Sequence, residues 1–484
     1  QAQVSVSGWT PPAKSRPEQA RLSLREQAQR GEAPPSQLYR QINRQAAAGK
    51  RLPAPSAREL QQERNSLRLR IGAIRQLNSP LSSWEEMTSY SVPEGQVYVT
   101  RIASEGALSL RLHFTDVSLP EGARLFVASE QTPENFSGPY QQNGPNRDGT
   151  FWTPPLRGDS VVIEYFVPSA ADKTRSVSLP FRVKQLSHSF KDERAIIPNV
   201  VQQEGAAACN ASVPPEWSEA AKSVARLRFV EPLGEFLCTG TLLNTADNSG
   251  KPYVLTANHC FSTQAAAQSL VATWLYDFGD DPGVIASRPS TQGAFLLATG
   301  ARSDFTLVEL RFPAPTGVRF SGWSTERPTT GTTVSSIHHP QGSYKRFSAG
   351  SLVNDSCPSD LPGYQCDNLL KVRWNTGITE PGSSGGVLWT GSAADPRVAG
   401  TLLGGFSACD NRAGTDYFGR FDLTFPAISF YLTGQGCAYE LSGTSRLVEA
   451  SGGSARVSVF LRENDACPWT ASSDVPWITI SNKD

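Results

Sequence analysis

The sequence predicts an all-β protein of several domains, entered through a short helical arm. Three observations carry this. Runs of four to eight residues that alternate or are continuously apolar recur from about residue 96 onward. Turns rich in Gly and Pro separate them, and the chain holds 40 Gly and 35 Pro. A length of 484 residues, at roughly 150 per domain, gives about three domains.

The arm comes first. Pro11, Pro12 and Pro17 make residues 1–20 loose by expectation. From Arg21 to Leu69 the composition turns to Arg, Gln, Ala, Glu and Leu, which favours helix, with breaks at Pro34-Pro35 and Pro53–Pro55. Residues 1–75 carry 14 Lys/Arg against 5 Asp/Glu. No aromatics interleave with these cations, so solvated helix faces or a flexible arm explain them better than a nucleic-acid site.

Residues 76–205 follow as a β-sandwich without cysteines. Its strands are read at Gln96–Ile102, Ala107–Phe114 and Ser160–Phe166, with turns at Pro93-Glu94-Gly95 and Pro120-Glu121-Gly122. Residues 206–436 are strand-like again, at Ala225–Val230, Tyr253–Thr256, Phe305–Leu310 and Val398–Leu403. That much short strand suits one large barrel or two small ones. Residues 437–484 are too few for a full independent core and read as a truncated module.

The 45 basic and 45 acidic residues balance, which predicts no nucleic-acid or acidic partner for the whole chain. No apolar run reaches the ~18–20 residues that a spanning helix needs, so no membrane span is expected. The chain starts at Gln1 and its one Met is Met87, as after removal of a signal peptide. All eight cysteines lie at or after Cys209, an even set that points to disulfides and an extracellular setting. No C-x₂₋₄-C pair exists, and His338-His339 has no carboxylate or cysteine at ligand spacing, so neither a metal nor another cofactor is expected.

Three pieces could carry chemistry. His259 ends a strand-like run beside Cys260, where an imidazole can be held rigid as a general base. Asp304 directly precedes an apolar strand, where a buried carboxylate can fix that imidazole's tautomer. Ser384 lies in Gly382-Ser383-Ser384-Gly385-Gly386, whose glycines permit a tight turn with backbone N–H groups aimed at a developing oxyanion. Each piece alone is an ordinary loop or a structural histidine. The run also matches the G-x-S-x-G elbow of α/β-hydrolases, but that fold needs a histidine after the serine, and none follows His339.

The order His259, Asp304, Ser384 is that of chymotrypsin-like proteases. Thr256-Ala257-Asn258-His259-Cys260, Ser303-Asp304-Phe305-Thr306-Leu307 and Gly382-Ser383-Ser384-Gly385-Gly386 resemble the triad motifs of the secreted bacterial lysyl endopeptidases. The resemblance implies a chymotrypsin-like double β-barrel over 206–436 and peptide hydrolysis through an acyl-enzyme. His259 would be the base, Asp304 its orienter and Ser384 the nucleophile, with Gly382 and Ser384 N–H groups forming the oxyanion hole. It also implies that Asp416, in Thr415-Asp416-Tyr417-Phe418-Gly419-Arg420, floors a pocket for Lys or Arg side chains, with Asp410 as the rival. Leu403 stands where lysine-restricted members carry a histidine, so strict lysine preference is not expected. Ser383 stands where trypsin-like zymogens carry an Asp that pairs with a new N-terminus.

By the same comparison the disulfides are Cys209–Cys409, Cys238–Cys260, Cys357–Cys366 and Cys437–Cys467. The first ~200 residues resemble the propeptides of these proteases, and 437–484 resembles the first half of a BACON domain, a family proposed to bind carbohydrate or glycoprotein. The implied partners are protein and peptide substrates, with a glycan or glycoprotein at the tail. The implied protein is a secreted monomer made as a precursor. The alternative is an inactive protease-like protein that binds carbohydrate or cell surfaces.

Overall fold

The computed structural model describes residues 3–12, 22–45, 47–60, 68–172, 178–191, 209–277, 288–354, 365–434, 438–441, 459–462 and 479. It is predominantly β.

The N-terminal region is a sandwich. In one sheet, Gly95–Ser104 pairs with Ser160–Pro168, which pairs onward with Arg124–Ser129. In the other, Arg182–Ser189 lies between Ser109–Thr115 and Leu69–Leu81. Alternate residues of both sheets meet in one core: Leu110, Leu112 and Phe114 from one face, Ile102, Ile163 and Tyr165 from the other. The pattern is the two-residue period of paired, half-buried strands.

Among the described residues of the arm, α-helix forms at Leu24–Gln29, capped by Ser23 with Glu26 reaching back, and at Ala57–Leu60. Gly31 in the left-handed region and Pro34-Pro35 stop the first. Between the two helices, Gly49–Leu52 joins Gly95–Ser104 as a parallel strand. Nor is the start of the chain loose throughout. Ser5–Val6 pairs with Gly322–Ser324, more than 300 residues away.

The following region holds two curled sheets. The first, an open barrel curled around its own core, runs Ser290–Gln292, Val271–Trp274, Val224–Glu231, Gly234–Leu243, Tyr253–Thr256, Phe305–Leu310, Ala294–Gly300. The second closes into a six-stranded barrel: Arg397–Gly405, Val387–Thr390, Thr333–His338, Arg346–Leu352, Leu369–Thr376 and Thr415–Arg420, which pairs back onto Arg397–Gly405. Leu243, Leu255 and Leu307 of the first pack with Trp323, Ile337 and Trp389 of the second in a shared core. The helix Phe421–Thr433 covers one end through Phe421, Ile428 and Leu432.

Strand pairing also joins the N-terminal sandwich to the first barrel, since Leu69–Leu81 pairs with Gly234–Leu243. Buried charge fills this seam. Glu235 accepts from Arg111 Nη1 at 2.9 Å, from Arg228 Nε at 2.7 Å and from Ser187 Oγ at 2.8 Å. Burial opposes the Glu235 charge, but Arg228 and Arg111 hold its pKa down to about 2. Charges this deep tolerate only a fully satisfied arrangement, so they fix which residues face each other across the seam.

Cys209–Cys409 and Cys238–Cys260 are bridged, and Cys366 is disulfide-bonded. Cys357, Cys437 and Cys467 lie outside the described residues. So does most of the tail, of which Ala438–Leu441 and Val459–Arg462 form an antiparallel pair. No helix among the described residues is long and apolar enough to cross a membrane.

Candidate active site

The register of the first barrel brings His259 and Asp304 together. Thr256 pairs with Thr306 in antiparallel strands, so the residue three past one and the residue two before the other emerge at the same sheet end. Asp304 is fully buried and takes a φ of 48°, which turns its carboxylate back toward the neighbouring strand. Its Oδ1 accepts the His259 backbone N–H at 2.9 Å and its Oδ2 accepts from His259 Nδ1 at 2.7 Å. A carboxylate only accepts, so the proton sits on Nδ1 and the lone pair on Nε2. Nε2 is buried with no hydrogen-bond partner among the described residues.

Ser384 lies in the turn that opens strand Val387–Thr390 of the second barrel. Backbone bonds from Ser383 N–H to Glu380 O and from Gly386 N–H to Ser383 O tighten this turn. Glycine is required twice. Gly382 has φ 97°, and a Cβ there would lie 2.9 Å from Gly342 N and His339 O. Gly385 has φ 81°, and a Cβ there would lie 2.2 Å from Thr256 Oγ1. Thr239 of the first barrel clasps the turn, its N–H donating to Ser384 O at 2.8 Å and its Oγ1 to Gly382 O at 2.9 Å. Thr239 adjoins Cys238, which is bridged to Cys260 beside His259, so one strand holds both the serine turn and the histidine segment.

Ser383 and His338 form a chain with a single direction. Glu380 N–H donates to Ser383 Oγ at 3.1 Å, leaving the Ser383 hydroxyl to donate to His338 Nδ1 at 2.8 Å. His338 Nε2–H then donates to Ser348 Oγ at 3.0 Å, which donates to Ile378 O at 3.0 Å. The chain requires a neutral imidazole. Burial, helped by the Arg346 charge, pushes the His338 pKa down to about 3. His339 is also buried, its Nδ1 donating to Ser343 O at 2.7 Å. The pair is interior structure.

Asp416 is buried, whereas Asp410 is exposed. Its Oδ2 accepts from Trp374 Nε1 at 2.6 Å and from Thr379 Oγ1 and Ser407 Oγ at 2.7 Å each. Its Oδ1 accepts Ser407 N–H at 3.0 Å. Burial raises the Asp416 pKa above the ordinary range, against the pull of these donors. Gly405 makes room, since a Cβ there would lie 2.1 Å from Oδ1. Thr379 belongs to the segment leading into Ser384, so the carboxylate adjoins the serine's own loop. Leu403 packs in the core with Leu369 and Tyr417. Sequence singles out His338 only as half of a histidine pair and offers no signal for Thr239, Trp374, Thr379 or Ser407, whose roles depend on distant partners.

Buried neutral histidines predict an acid-sensitive fold. His113 and His188 have pKa values of about 4 and His338 of about 3, in each case chiefly through burial. An unfolded histidine titrates near 6.5. Each therefore contributes stability that is complete above about pH 6.5 and is lost as pH falls through that value toward 4. Thermal midpoints measured from pH 7 to pH 4.5 should fall progressively. A flat profile over that window would contradict the buried neutral state.

A carboxylate-anchored histidine, and a glycine-flanked serine turn that packs against Thr256 and Ala257 of the histidine's own segment, are the equipment of a serine endopeptidase. Family comparison agrees. A model of the lysyl endopeptidase C-terminal domain matches residues 204–419, and one of the N-terminal domain matches 44–190. A lysyl endopeptidase of Pseudomonas aeruginosa is 28% identical over 414 residues, covering 80% of this chain and 87% of that protein. A protein of Plasmopara viticola named secreted RxLR effector protein 73 is 25% identical over 336 residues, covering 64% and 77%. Among solved structures, a thermostable serine protease from an extremophilic microorganism aligns with TM-score 0.30 at 17% identity, over 42% of this chain and 93% of that one. An HtrA-type protease aligns with TM-score 0.33 at 18% identity, over 46% and 64%. The chain belongs to the lysyl endopeptidase-like family, and it is a serine endopeptidase acting on peptide substrates.

Proposed function

We propose that the protein is a secreted precursor whose residues 206–436 hydrolyse peptide bonds after Lys and Arg. The observation that carries this reading is the His259–Asp304 pair, with Nε2 uncommitted and the Ser384 turn packed against Thr256 and Ala257 of the same segment. In the reaction Nε2 takes the Ser384 proton as Oγ attacks the scissile carbonyl, and Asp304 stabilises the imidazolium that forms. The oxyanion develops against the N–H groups of Gly382 and Ser384. Nε2 then protonates the leaving amine, and water repeats the sequence to free the acyl-enzyme. Asp416 supplies the charge for the substrate cation. Three donors occupy its Oδ2 but only one its Oδ1, leaving Oδ1 acceptor capacity for an ammonium or guanidinium.

Residues 1–205 are the pro-region on this reading. Two of its contacts reach the catalytic loops. Arg68 Nη1 donates to Cys260 O at 3.4 Å, and Lys191 Nζ to Gln341 Oε1 at 3.1 Å. Gln341 N–H in turn bonds Pro381 O, next to Gly382. Activation cannot use a terminal ammonium paired with the residue before Ser384, because Ser383 carries no charge and its hydroxyl is committed to His338. Lys191, half-buried against Gln341, is the poorer self-cleavage site, which leaves Arg194 as the first expected cut.

Mass spectrometry of a digested denatured protein mixture, with N-terminal sequencing of the active enzyme, tests both parts. New ends after Lys and Arg, and an enzyme starting at Ala195, are expected. Cleavage mainly after Phe, Leu or Ala would overturn the specificity. An inactive Ser384→Ala chain still cut at Arg194 when purified alone would rule out self-processing.

A further inference from the structure

The first described residues of the chain sit on the second barrel, far in sequence from the sandwich that they precede. Val4 O accepts Thr325 N–H at 2.9 Å, and Trp9 exchanges both backbone bonds with Phe320 at 2.8 Å each. Between them Ser5 faces Ser324 and Val6 faces Trp323 in antiparallel register. Strand Gly322–Ser324 pairs on its other side with Arg397–Gly405, so Ser5–Val6 covers the outer edge of that sheet.

The site is shaped for its occupant. Gly322 admits the approach, since a Cβ there would lie 2.4 Å from Val6 O. Asn244 Nδ2 donates to Ser7 O and Arg397 Nη2 to Ser7 Oγ, each at 2.8 Å, so side chains of both barrels read one residue of the tail. The Trp9 ring lies 5.5 Å from that of Phe320. Val6 packs against the core shared by the barrels and Trp9 against the first-barrel core. A loose proline-rich leader needs none of these features.

We propose that residues 3–9 are a strand clip, and that the edge Phe320–Thr325 is its docking site. The clip keeps the N-terminal region on the protease after the chain is cut between residues 191 and 209. This rests on the precursor reading. The cut removes the covalent link at the sandwich's C-terminal end, where the seam with Gly234–Leu243 still holds. The clip adds a second attachment on the other barrel. Two linked sites release together far more slowly than one, because a site that opens rebinds at an effective concentration in the millimolar range. The cleaved N-terminal region therefore stays bound until the clip also lets go.

The experiment uses the full chain with Ser384→Ala, which removes self-digestion, and a recognition sequence for an unrelated site-specific protease in place of residues 198–204. After the cut, the rate at which the N-terminal fragment leaves is followed by dilution and size exclusion. It is compared for the intact tail, for deletion of residues 1–12, and for Val6→Lys with Trp9→Ala. Release at least ~10-fold faster without a functional tail is expected, since linkage can supply as much as 10²–10⁴. A synthetic peptide of residues 1–12 should speed release from the intact form. Equal rates, or immediate release with the tail intact, would overturn the clip. The precursor reading is tested separately, by cutting the chain that keeps Ser384. The N-terminal fragment is then separated off; if the isolated protease part is no more active than the uncut chain, that reading falls, whatever the release rates.

Discussion

Replacing Ser384 with alanine should abolish peptide hydrolysis, by ~10⁴-fold or more in kcat, with the fold unchanged. The change removes one oxygen from a residue only 3% exposed, and the backbone bonds that hold the turn do not involve that oxygen. His259→Ala should cost nearly as much, since the only uncommitted nitrogen of the pair disappears with it. Asp304→Asn should be severe for a different reason. Asparagine can donate where Asp304 only accepts, so Nδ1 no longer needs to carry the proton and the lone pair leaves Nε2. Initial rates on a peptide substrate, with circular dichroism as the control for folding, decide the matter. Wild-type turnover by the Ser384→Ala protein would show that the nucleophile lies elsewhere.

Asp416→Asn should collapse the preference for basic side chains. A substrate cation left without its counter-charge in a dry pocket costs about 3–5 kcal/mol, or roughly 10²–10⁴-fold in kcat/KM. Substrates with a neutral side chain at that position should change much less, which separates lost recognition from lost catalysis. The Asn amide would also meet the Trp374, Thr379 or Ser407 donors, so some loss of stability should accompany the loss of specificity. Unchanged discrimination between lysine and leucine substrates would remove Asp416 from the pocket. Asp410→Asn, at an exposed position, serves as the comparison.

Strand positions were legible wherever the pattern is local. Ser160–Phe166 reads from its apolar run and is found as Ser160–Pro168, and Tyr253–Thr256 and Phe305–Leu310 are found over those same residues. The pairing of His259 with Asp304 was inferable from chain order and motif, although the register that brings them together belongs to the folded sheet. Non-local dependence marks what stayed hidden. Arg111, Arg228 and Glu235 are ordinary surface residue types until two regions close over them. Lys50-Arg51-Leu52 looks helical by composition, yet an open sheet edge at Gly95–Ser104 recruits it as a strand. Tertiary context outweighs a propensity of a few tenths of a kcal/mol per residue.

The charged seam has a second consequence, for colloidal behaviour. If the N-terminal region leaves, as the proposed precursor requires, Arg111 goes with it, and the part of Gly234–Leu243 that Leu69–Leu81 had paired becomes a bare edge. Unpaired edges invite strands from other copies, and sheet proteins commonly guard them with charges that point inward. Glu235 and its partner Arg228 remain at that edge and regain water as soon as it opens. A second copy pairing there would have to bury both again without Arg111 and without Ser187 and Ser189, which also departed. On the proposed precursor reading, the residues that fix the register of the seam would thus become a barrier to self-association, and the liberated enzyme would stay dispersed with its edge uncovered.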